Sequence, residues 1–213
     1  MEEAAFVPVE QEPLHQQRWK SDIVRLVDVQ FPRNATCLWH QHLKYGVYIC
    51  IADLEATEQP KGHEPRALAK AKGDVFCRDH TEDKLIHVVS NSDHELHIIE
   101  VELLKEKHLV APHDEVPQHV ARGLRILNDE LECRVYRLTL LSKQTEKMSL
   151  ELPTDAVLVA LDECVVKIVN PDGEKEVHVQ PGDDVVLVAG HFEVHLVPRD
   201  HAEAPEFILV EVF

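Results

Sequence analysis

The chain has 213 residues, of which 44% are hydrophobic and 29% charged, so it is long enough for a buried core and does not have the composition of a disordered chain. Its 22 Lys and Arg against 39 Asp and Glu give a formal net charge of −17, which argues against a nucleic-acid partner because phosphate binding needs a basic patch. There is no secretory signal, no apolar run of bilayer-spanning length and no C-x-x-C pair among the five cysteines, so we expect a cytoplasmic protein with reduced thiols and no membrane partner.

Runs of β-branched residues recur about every ten residues along the chain, and helical periodicity is nearly absent. This pattern predicts an all-β fold of the sandwich or barrel type. In chain order, the predicted strands are Asp22–Val29, Gly46–Ala52, Arg66–Ala71, Leu85–Ser90, Leu96–Leu104, Arg134–Leu141, Ala156–Leu161, Val165–Val169, Glu176–Val179, Val185–Val188, Phe192–Val197 and Phe207–Phe213.

The two halves of the chain resemble each other at a nearly constant offset. Val47 aligns with Leu158, the Gly-Asp turn at 73–74 aligns with that at 182–183, and His87 aligns with His195. We therefore predict a duplication, with an N-terminal arm at 1–21, a first barrel at 22–104, a linker at 105–132 and a second barrel at 133–213.

The first candidate site is the tripeptide His40-Gln41-His42, which lies between two apolar runs. Side chains two apart in a strand point to the same face, so His40 and His42 can project together into one interior. The chain has 15 histidines, so an H-x-H pair alone is weak evidence for a metal site. His87, in a second β-branched run and followed after three residues by Asn91, would supply a third imidazole from a different strand.

These residues resemble the two sequence motifs of the cupin superfamily, a group of small jelly-roll β-barrels. The family's first motif has H-x-H with a glutamate four residues on, and its second has Gly-Asp and then H-x-x-x-N. Here the first motif reads WHQHLKYGVY and the second reads KGDVFCRDHTEDKLIHVVSN. The resemblance is strong over residues 22–104 and weak over 133–213, and it implies two tandem cupin barrels, a bicupin.

The chain departs from the family pattern in both halves. Gly46 stands where the family has its glutamate ligand, so the resemblance implies a three-histidine site at His40, His42 and His87, with space beside the metal at the glycine. In the second half the H-x-H positions align with Glu151 and Pro153, which leaves only His195. We therefore expect the second barrel to be degenerate and structural.

Several other residues lie near the motifs. Tyr48 stands where some cupin lyases carry an active-site tyrosine, and it or Tyr45 could act as an acid, a base or a hydrogen-bond donor, although a structural aromatic is an equal alternative. Arg66, Arg78 and Lys84 are candidates for the mouth of the barrel or are solvated face charges. His80, His94 and His97 are expected on the surface or at sheet edges, and no cysteine is given a catalytic role.

Cupins include dioxygenases, isomerases, epimerases, lyases and non-enzymatic proteins, so the resemblance predicts the fold more specifically than the reaction. The resemblance implies one divalent metal ion, with iron favoured over Mn, Ni, Zn or Cu, and a dioxygenase or lyase acting on a small anionic molecule. The alternatives are a non-enzymatic module that binds a metal or small ligand and a metal-free isomerase or epimerase with His87 as base. The chain could be a monomer with an internal pseudo-dimer, or a homodimer.

Overall fold

The computed structural model describes residues 5–104, 113–141, 147–197 and 204–213. This part of the chain consists of strands joined by turns and loops, and its only helical segments are single 3-10 turns at Val9–Gln11 and His113–Glu115. The chain divides into two compact units, Met1–Glu106 and Lys107–Phe213. The all-β fold predicted from the β-branched alternation is confirmed, and no helix among the described residues is long and apolar enough to cross a bilayer.

The first unit is built from two five-stranded sheets. Its strands are β1 (Val7–Pro8), β2 (His15–Lys20), β3 (Val24–Phe31), β4 (His40–His42), β5 (Tyr45–Cys50), β6 (Leu54–Pro60), β7 (Arg66–Lys70), β8 (Val75–Arg78), β9 (Leu85–Asn91) and β10 (Leu96–Leu103). One sheet has the order β1-β4-β9-β6-β7 and the other β2-β3-β10-β5-β8.

The second unit repeats this arrangement. Its strands are β11 (Leu124–Asp129), β12 (Cys133–Thr139), β13 (Met148–Leu152), β14 (Ala156–Ala160), β15 (Cys164–Asn170), β16 (Gly173–Val179), β17 (Asp184–Leu187), β18 (Gly190–Leu196) and β19 (Glu206–Val212). The sheet orders are β11-β12-β19-β14-β17 and β13-β18-β15-β16, which match those of the first unit strand for strand, apart from β1. Both units are therefore two-sheet barrels of one topology, as the duplication predicts.

The register of the repeat differs by one residue from the sequence alignment. The N–H of Cys50 on β5 and that of Ala160 on β14 each donate to the aspartate carbonyl of the following Gly-Asp turn, so these two residues are equivalent. Val47 therefore matches Val157 and not Leu158. The correction matters because a shift of one residue moves every side chain of a strand to the other face.

The predicted arm and linker both contain strands that the sequence did not reveal. In the arm, β1 pairs with β4 and β2 pairs with β3. In the linker, β11 pairs with β12, while residues 105–112 lie outside the described part of the chain. Strand β2 has the sequence HQQRWK, and a mostly exposed edge strand of this kind lacks the apolar alternation on which the prediction rested.

The two barrel interiors differ in character. The apolar core of the first barrel is formed by Val27, Val29, Phe31, Cys37, Tyr48, Cys50, Leu54, Val89, Leu96 and Ile98, and it gives way to histidines at one end. The second interior is lined mainly by apolar side chains, with Tyr136 and Phe192 among its largest buried residues, and it also buries Arg134 and Glu211. Within the described residues, the cluster of buried histidines belongs to the first barrel.

Candidate metal centre

The first two predicted ligands lie on the short strand β4. His40 and His42 are both buried, whereas Gln41 between them is half-buried, as the alternation of a strand requires. The Nε2 atoms of the two histidines are 3.1 Å apart. The sequence prediction that both rings enter one interior is supported by this geometry.

The third predicted histidine meets the first two from β9. His87 pairs directly with His40 across the antiparallel β4–β9 ladder. Its Nε2 atom is 3.0 Å from Nε2 of His40, and its side chain is buried. The structure therefore brings all three motif histidines together.

The other ring nitrogen of each histidine faces an acceptor. Nδ1 of His40 donates to the carbonyl oxygen of Leu38 at 2.8 Å, and Nδ1 of His87 donates to Oε1 of Glu58 at 2.8 Å. Nδ1 of His42 lies 3.4 Å from Oε1 of Glu100. Since a carbonyl or carboxylate oxygen can only accept, the contacts of His40 and His87 place the imidazole proton on Nδ1 and leave Nε2 with a bare lone pair.

The bare Nε2 atoms of His40 and His87 thus face each other, Nε2 of His42 lies beside that of His40, and the ring centroids of His42 and His87 are 5.1 Å apart. Nitrogen atoms that bind one metal at about 2.1 Å and at right angles to each other lie about 3.0 Å apart. The separations of 3.0 and 3.1 Å agree with that value. Without a cation between them, these lone pairs would repel each other.

Burial keeps the imidazoles of His40 and His87 neutral. The pKa of His40 is lowered to about 2, first by burial and then by repulsion from His15, His87 and His42. Burial also lowers the pKa of His87 to about 4, against the opposing effect of Glu58. A neutral imidazole is the form that binds a metal ion.

Glu58 was missed by the sequence analysis because it lies in β6, a polar strand outside both motifs. It is fully buried and is bound by Arg66 and Arg78 as well as by His87. Burial raises the pKa of this carboxyl, but the hydrogen bonds from His87 and Arg78 hold it well below its usual range. Glu58 is therefore an ionised carboxylate, and it orients the His87 ring.

Glu100 is a second buried carboxylate that the sequence analysis missed. It lies on β10 on the same face as the interior residue Ile98, and neither of its oxygens accepts a well-formed hydrogen bond within the described residues. Burial raises its pKa, and the neighbouring His42 outweighs this and lowers it to about 2. A charged carboxylate in this position favours a cation on the far side of the His42 ring.

Two further histidines lie beside the three that were predicted. His15 of β2 lies with its ring centroid 4.6 Å from that of His40. His80, expected on the surface, is instead 7% exposed, and its ring centroid is 5.7 Å from that of His42. The expectation for His80 was wrong because the segment after β8 places this ring beside His42 and not in solvent.

Tyr48 is buried in the interior and borders the site. Its hydroxyl lies 3.5 Å from Nδ1 of His42, and its ring stacks on Phe76 with centroids 4.9 Å apart. Burial raises the pKa of Tyr48 well above its usual value, so the hydroxyl stays protonated. Tyr45, three residues earlier in the same strand, has the opposite orientation and does not share this face.

The space expected beside Gly46 is filled. A Cβ atom at this position would lie 2.8 to 2.9 Å from the ring and hydroxyl atoms of Tyr48. The glycine therefore accommodates the tyrosine ring and does not leave room beside a metal.

A cavity of about 50 Å³ adjoins the histidines. Its polar lining consists of His15, His42, Tyr48, Glu58, Arg78 and His87, and its apolar lining of Val29, Phe31, Leu54, Leu68, Phe76, Val89, Leu96 and Ile98. Of the three cationic residues considered for the barrel mouth, Arg78 borders this cavity, whereas Arg66 contacts Glu58 and Lys84 is exposed. The cavity has room for only a few water-sized groups.

The second barrel replaces the histidines with apolar residues. His40 pairs with His87 in the first barrel, and Leu150 pairs with Phe192 at the equivalent place in the second. His42 is equivalent to Leu152 by the same register.

The sequence alignment had placed Glu151, Pro153 and His195 at these positions, and the strand register corrects it. All three replacing residues are buried in the second core. In the second barrel, the positions equivalent to the three histidines are therefore part of the apolar core.

No protein-family model matches the chain, and no curated protein matches it. Solved structures do resemble it. A cupin 2 conserved barrel domain protein from Leptotrichia buccalis matches with a TM-score of 0.57 and 14% identity over 93% of this chain and 88% of that one. A Bacillus subtilis oxalate decarboxylase, solved in work on its Mn(II) centres, matches with a TM-score of 0.59 and 10% identity over 90% and 69%.

A third structure, salicylate 1,2-dioxygenase from Pseudoaminobacter salicylatoxidans, matches with a TM-score of 0.58 and 10% identity over 90% of this chain and 71% of that one. At these identities the likeness establishes the fold and not the reaction. The matches span both units, in agreement with the repeated topology. The chain therefore has the bicupin fold, two cupin barrels in tandem.

Proposed function

We propose that the first barrel binds one divalent metal ion through Nε2 of His40, His42 and His87. The observation that carries the proposal is that Nε2 of His40 lies 3.1 Å from Nε2 of His42 and 3.0 Å from Nε2 of His87, while Nδ1 of His40 and Nδ1 of His87 each donate to a fixed acceptor. Imidazole nitrogen suits iron, nickel, copper and zinc, and iron is our first choice.

The charges around the site support a cation. Glu58 has two arginines beside it, and Arg25 pairs with Glu102 further along the barrel. Glu100, by contrast, faces His42 without an arginine or lysine ion pair among the described residues. A metal bound to Nε2 of His42 would supply the missing positive charge through the ring.

We further propose that the centre catalyses an oxidative or lyase-type reaction of a small anionic molecule. A bound metal would act as a Lewis acid and keep coordination positions open for the reactants. The cavity would hold the substrate, with Arg78 as the cation in its lining and aliphatic residues around the remainder. Tyr48, held protonated by burial, would donate a hydrogen bond and would not act as a base.

Metal analysis of protein purified without chelator tests the binding proposal. We expect one metal per chain, its loss in His40→Ala and in His87→Ala, and its retention in the matched control His195→Ala of the second barrel. Full occupancy in folded His40→Ala would refute the assignment. Oxygen uptake with candidate small acids then distinguishes an oxygenase from a lyase or a non-enzymatic binder.

A metal-free isomerase or epimerase is the second candidate. The hydrogen bond from Nδ1 of His87 to Glu58 is the pairing that orients a histidine general base. Its Nε2, however, faces Nε2 of His40 at 3.0 Å. Activity that survives complete removal of metal by a chelator would favour this candidate over the metal enzyme.

A further inference from the structure

The N-terminal arm contributes a histidine to the same site. His15 lies in β2 opposite Val29, and its side chain is 7% exposed. Its ring centroid is 4.6 Å from that of His40 and 6.0 Å from that of His42. His15 also lines the cavity beside the histidines.

A buried carboxylate fixes this histidine. Nδ1 of His15 lies 2.6 Å from Oε2 of Glu12, which is itself 2% exposed. Glu12 also accepts the backbone N–H of Leu14 at 2.7 Å and that of Leu38 at 3.3 Å. Since the Leu38 carbonyl orients His40, one carboxylate ties the arm to the segment that positions the first motif histidine.

The hydrogen bond to Glu12 places the His15 proton on Nδ1, so Nε2 is the nitrogen left for a ligand. One ring nitrogen from each of His15, His40 and His42 lies within 4.8 Å of the other two. His15 therefore lies beside two of the three proposed ligands. The pairing of His15 with Glu12 repeats that of His87 with Glu58, a carboxylate–histidine arrangement that orients metal ligands.

The internal repeat gives independent support. The β2–β3 and β11–β12 ladders match, including a bulge at the same place in each, and they align His15 with Leu124. Leu124 packs against the apolar core of the second barrel. His15 is therefore replaced by leucine together with the three motif histidines, as expected if the four act as one set.

The two residue types of the buried ion pair of Arg25 and Glu102 in the first barrel, unlike the histidines, are kept in the second barrel. Arg25 and Glu102 are cross-strand neighbours, and the equivalent positions in the second barrel are again arginine and glutamate, Arg134 and Glu211. This pair therefore belongs to the fold that both barrels share. Glu102 is not a member of the set that distinguishes the first barrel.

We propose that His15 is the fourth nitrogen ligand of the metal, delivered by the N-terminal arm in place of the carboxylate that Gly46 lacks, and that Glu12 is its positioning residue. The inference rests on the metal site proposed above. Four imidazoles on a six-coordinate ion leave two positions. The substrate class narrows to small molecules that coordinate through two atoms, or through one atom with dioxygen at the other position.

The test uses the full chain, freed of metal and loaded with Zn(II) as the probe, because zinc favours four ligands. X-ray absorption should count four imidazoles in the wild-type protein and three in His15→Ala and His15→Gln. Competition with a chromophoric chelator should show that both variants bind Zn(II) at least about 100-fold more weakly than the wild-type protein. This loss is larger than the loss expected for a residue that only orients a ligand. Glu12→Gln should keep four imidazoles and bind about 10-fold more weakly.

His97→Ala is the matched control, since His97 forms a similar pair with Asp28 at 3.0 Å on β10 and lies outside the site. It should bind Zn(II) as the wild-type protein does. Three imidazoles in the wild-type protein, or unchanged affinity in both folded His15 variants, would overturn the role of His15 and leave the three-histidine site standing. A wild-type protein that binds no Zn(II) would refute the metal site itself and this inference with it.

Discussion

Gly46 and Tyr48 form a pair in which one residue requires the other. The Tyr48 ring occupies the place that a Cβ atom at residue 46 would enter, with ring atoms 2.8 to 2.9 Å away. The ring cannot retreat freely because it stacks on Phe76. In the second barrel the equivalent residues are Ala156 and Leu158, where a smaller side chain allows the methyl group.

We expect Gly46→Ala to destabilise the first barrel by about 1–3 kcal/mol, the usual cost of overpacking a filled interior. Combined with Tyr48→Leu, which reproduces the residues of the second barrel, the same substitution should cost much less. Urea unfolding of the wild type, the two single variants and the double variant measures the coupling. Equal costs of Gly46→Ala in both backgrounds would show that the tyrosine ring is not the obstacle.

The buried histidines also predict a pH dependence of the metal-free protein. The pKa values of His40 and His87 are lowered to about 2 and about 4 in the folded state, against about 6.5 when unfolded. The folded state therefore binds fewer protons. Stability is fully present above about pH 6.5 and falls as the pH drops toward 4, with a slope of up to about 2.7 kcal/mol per pH unit from two such groups.

Urea unfolding at pH 7, 6 and 5 in the presence of a chelator measures this slope. His40→Leu, which carries the equivalent residue of the second barrel, should show about half of it, because one of the two protonation sites is gone. The same slope in both proteins would mean that folding does not lower the pKa of His40.

At the residue scale, the site residues that could be predicted are those that lie in the two sequence motifs. His40, His42 and His87 meet as expected because strand alternation and the second motif constrain them. Glu58 and His15 lie on polar strands with no motif. Glu100 gave one usable signal, because it and Glu102 are carboxylates at alternate positions of a strand that is otherwise mainly apolar.

At the scale of elements, Asn91 holds the segment between β3 and β4 that leads to the metal-binding strand. Its Oδ1 accepts the N–H of Ala35 at 2.8 Å, and its Nδ2 donates to the carbonyls of Pro32 at 2.9 Å and His94 at 2.6 Å. The asparagine of the second motif therefore has a structural role at one end of β9.

We expect Asn91→Ala to lower the free energy of unfolding by about 2–4 kcal/mol, since it removes three part-buried hydrogen bonds to the backbone. The control is Asn170→Ala, in which a single hydrogen bond to the N–H of Asp172 is lost from an exposed turn. That variant should lose less than about 1 kcal/mol. Similar losses in the two variants, measured by urea unfolding, would contradict the anchoring role.

Strands with alternating β-branched residues were predicted to within a few residues, as for Leu96–Leu104 against the observed Leu96–Leu103. Strands β2 and β6 were missed because their residues are mostly polar, and β8, β11 and β13 were missed although at least half of their residues are apolar. Such edge or one-sided strands are held by the ladder of a neighbour and not by a pattern of their own. Their pairing depends on contacts distant in sequence, which a local pattern does not contain.

At the scale of the molecule, the two barrels share one topology but differ in the side chains that fill their interiors. The positions of the four histidines are occupied in the second barrel by Leu124, Leu150, Leu152 and Phe192, all of which contribute to its apolar core. A buried histidine requires partners for both nitrogens, whereas leucine and phenylalanine only need to fill the space. The second barrel is therefore free to be optimised for packing, while the first retains the polar interior on which the proposed chemistry depends.

The last prediction concerns the packing of the first barrel. Strands β3, β5 and β10 carry apolar side chains on both faces: the inward face lines the barrel, and the other face presents Leu26, Val47, Ile49, Ile99 and Val101 as direct cross-strand neighbours, each 0% exposed. Charged groups are costly at such buried positions, because they lose their contact with water. We therefore expect Val47→Lys combined with Val101→Glu, a cross-strand pair, to lower the free energy of unfolding of the full chain by about 4 kcal/mol or more, as measured by urea unfolding. The control is Val186→Lys, at a position that is 48% exposed, which should cost less than about 1 kcal/mol. Similar losses in the two proteins would show that the second face of the sheet tolerates charge and water.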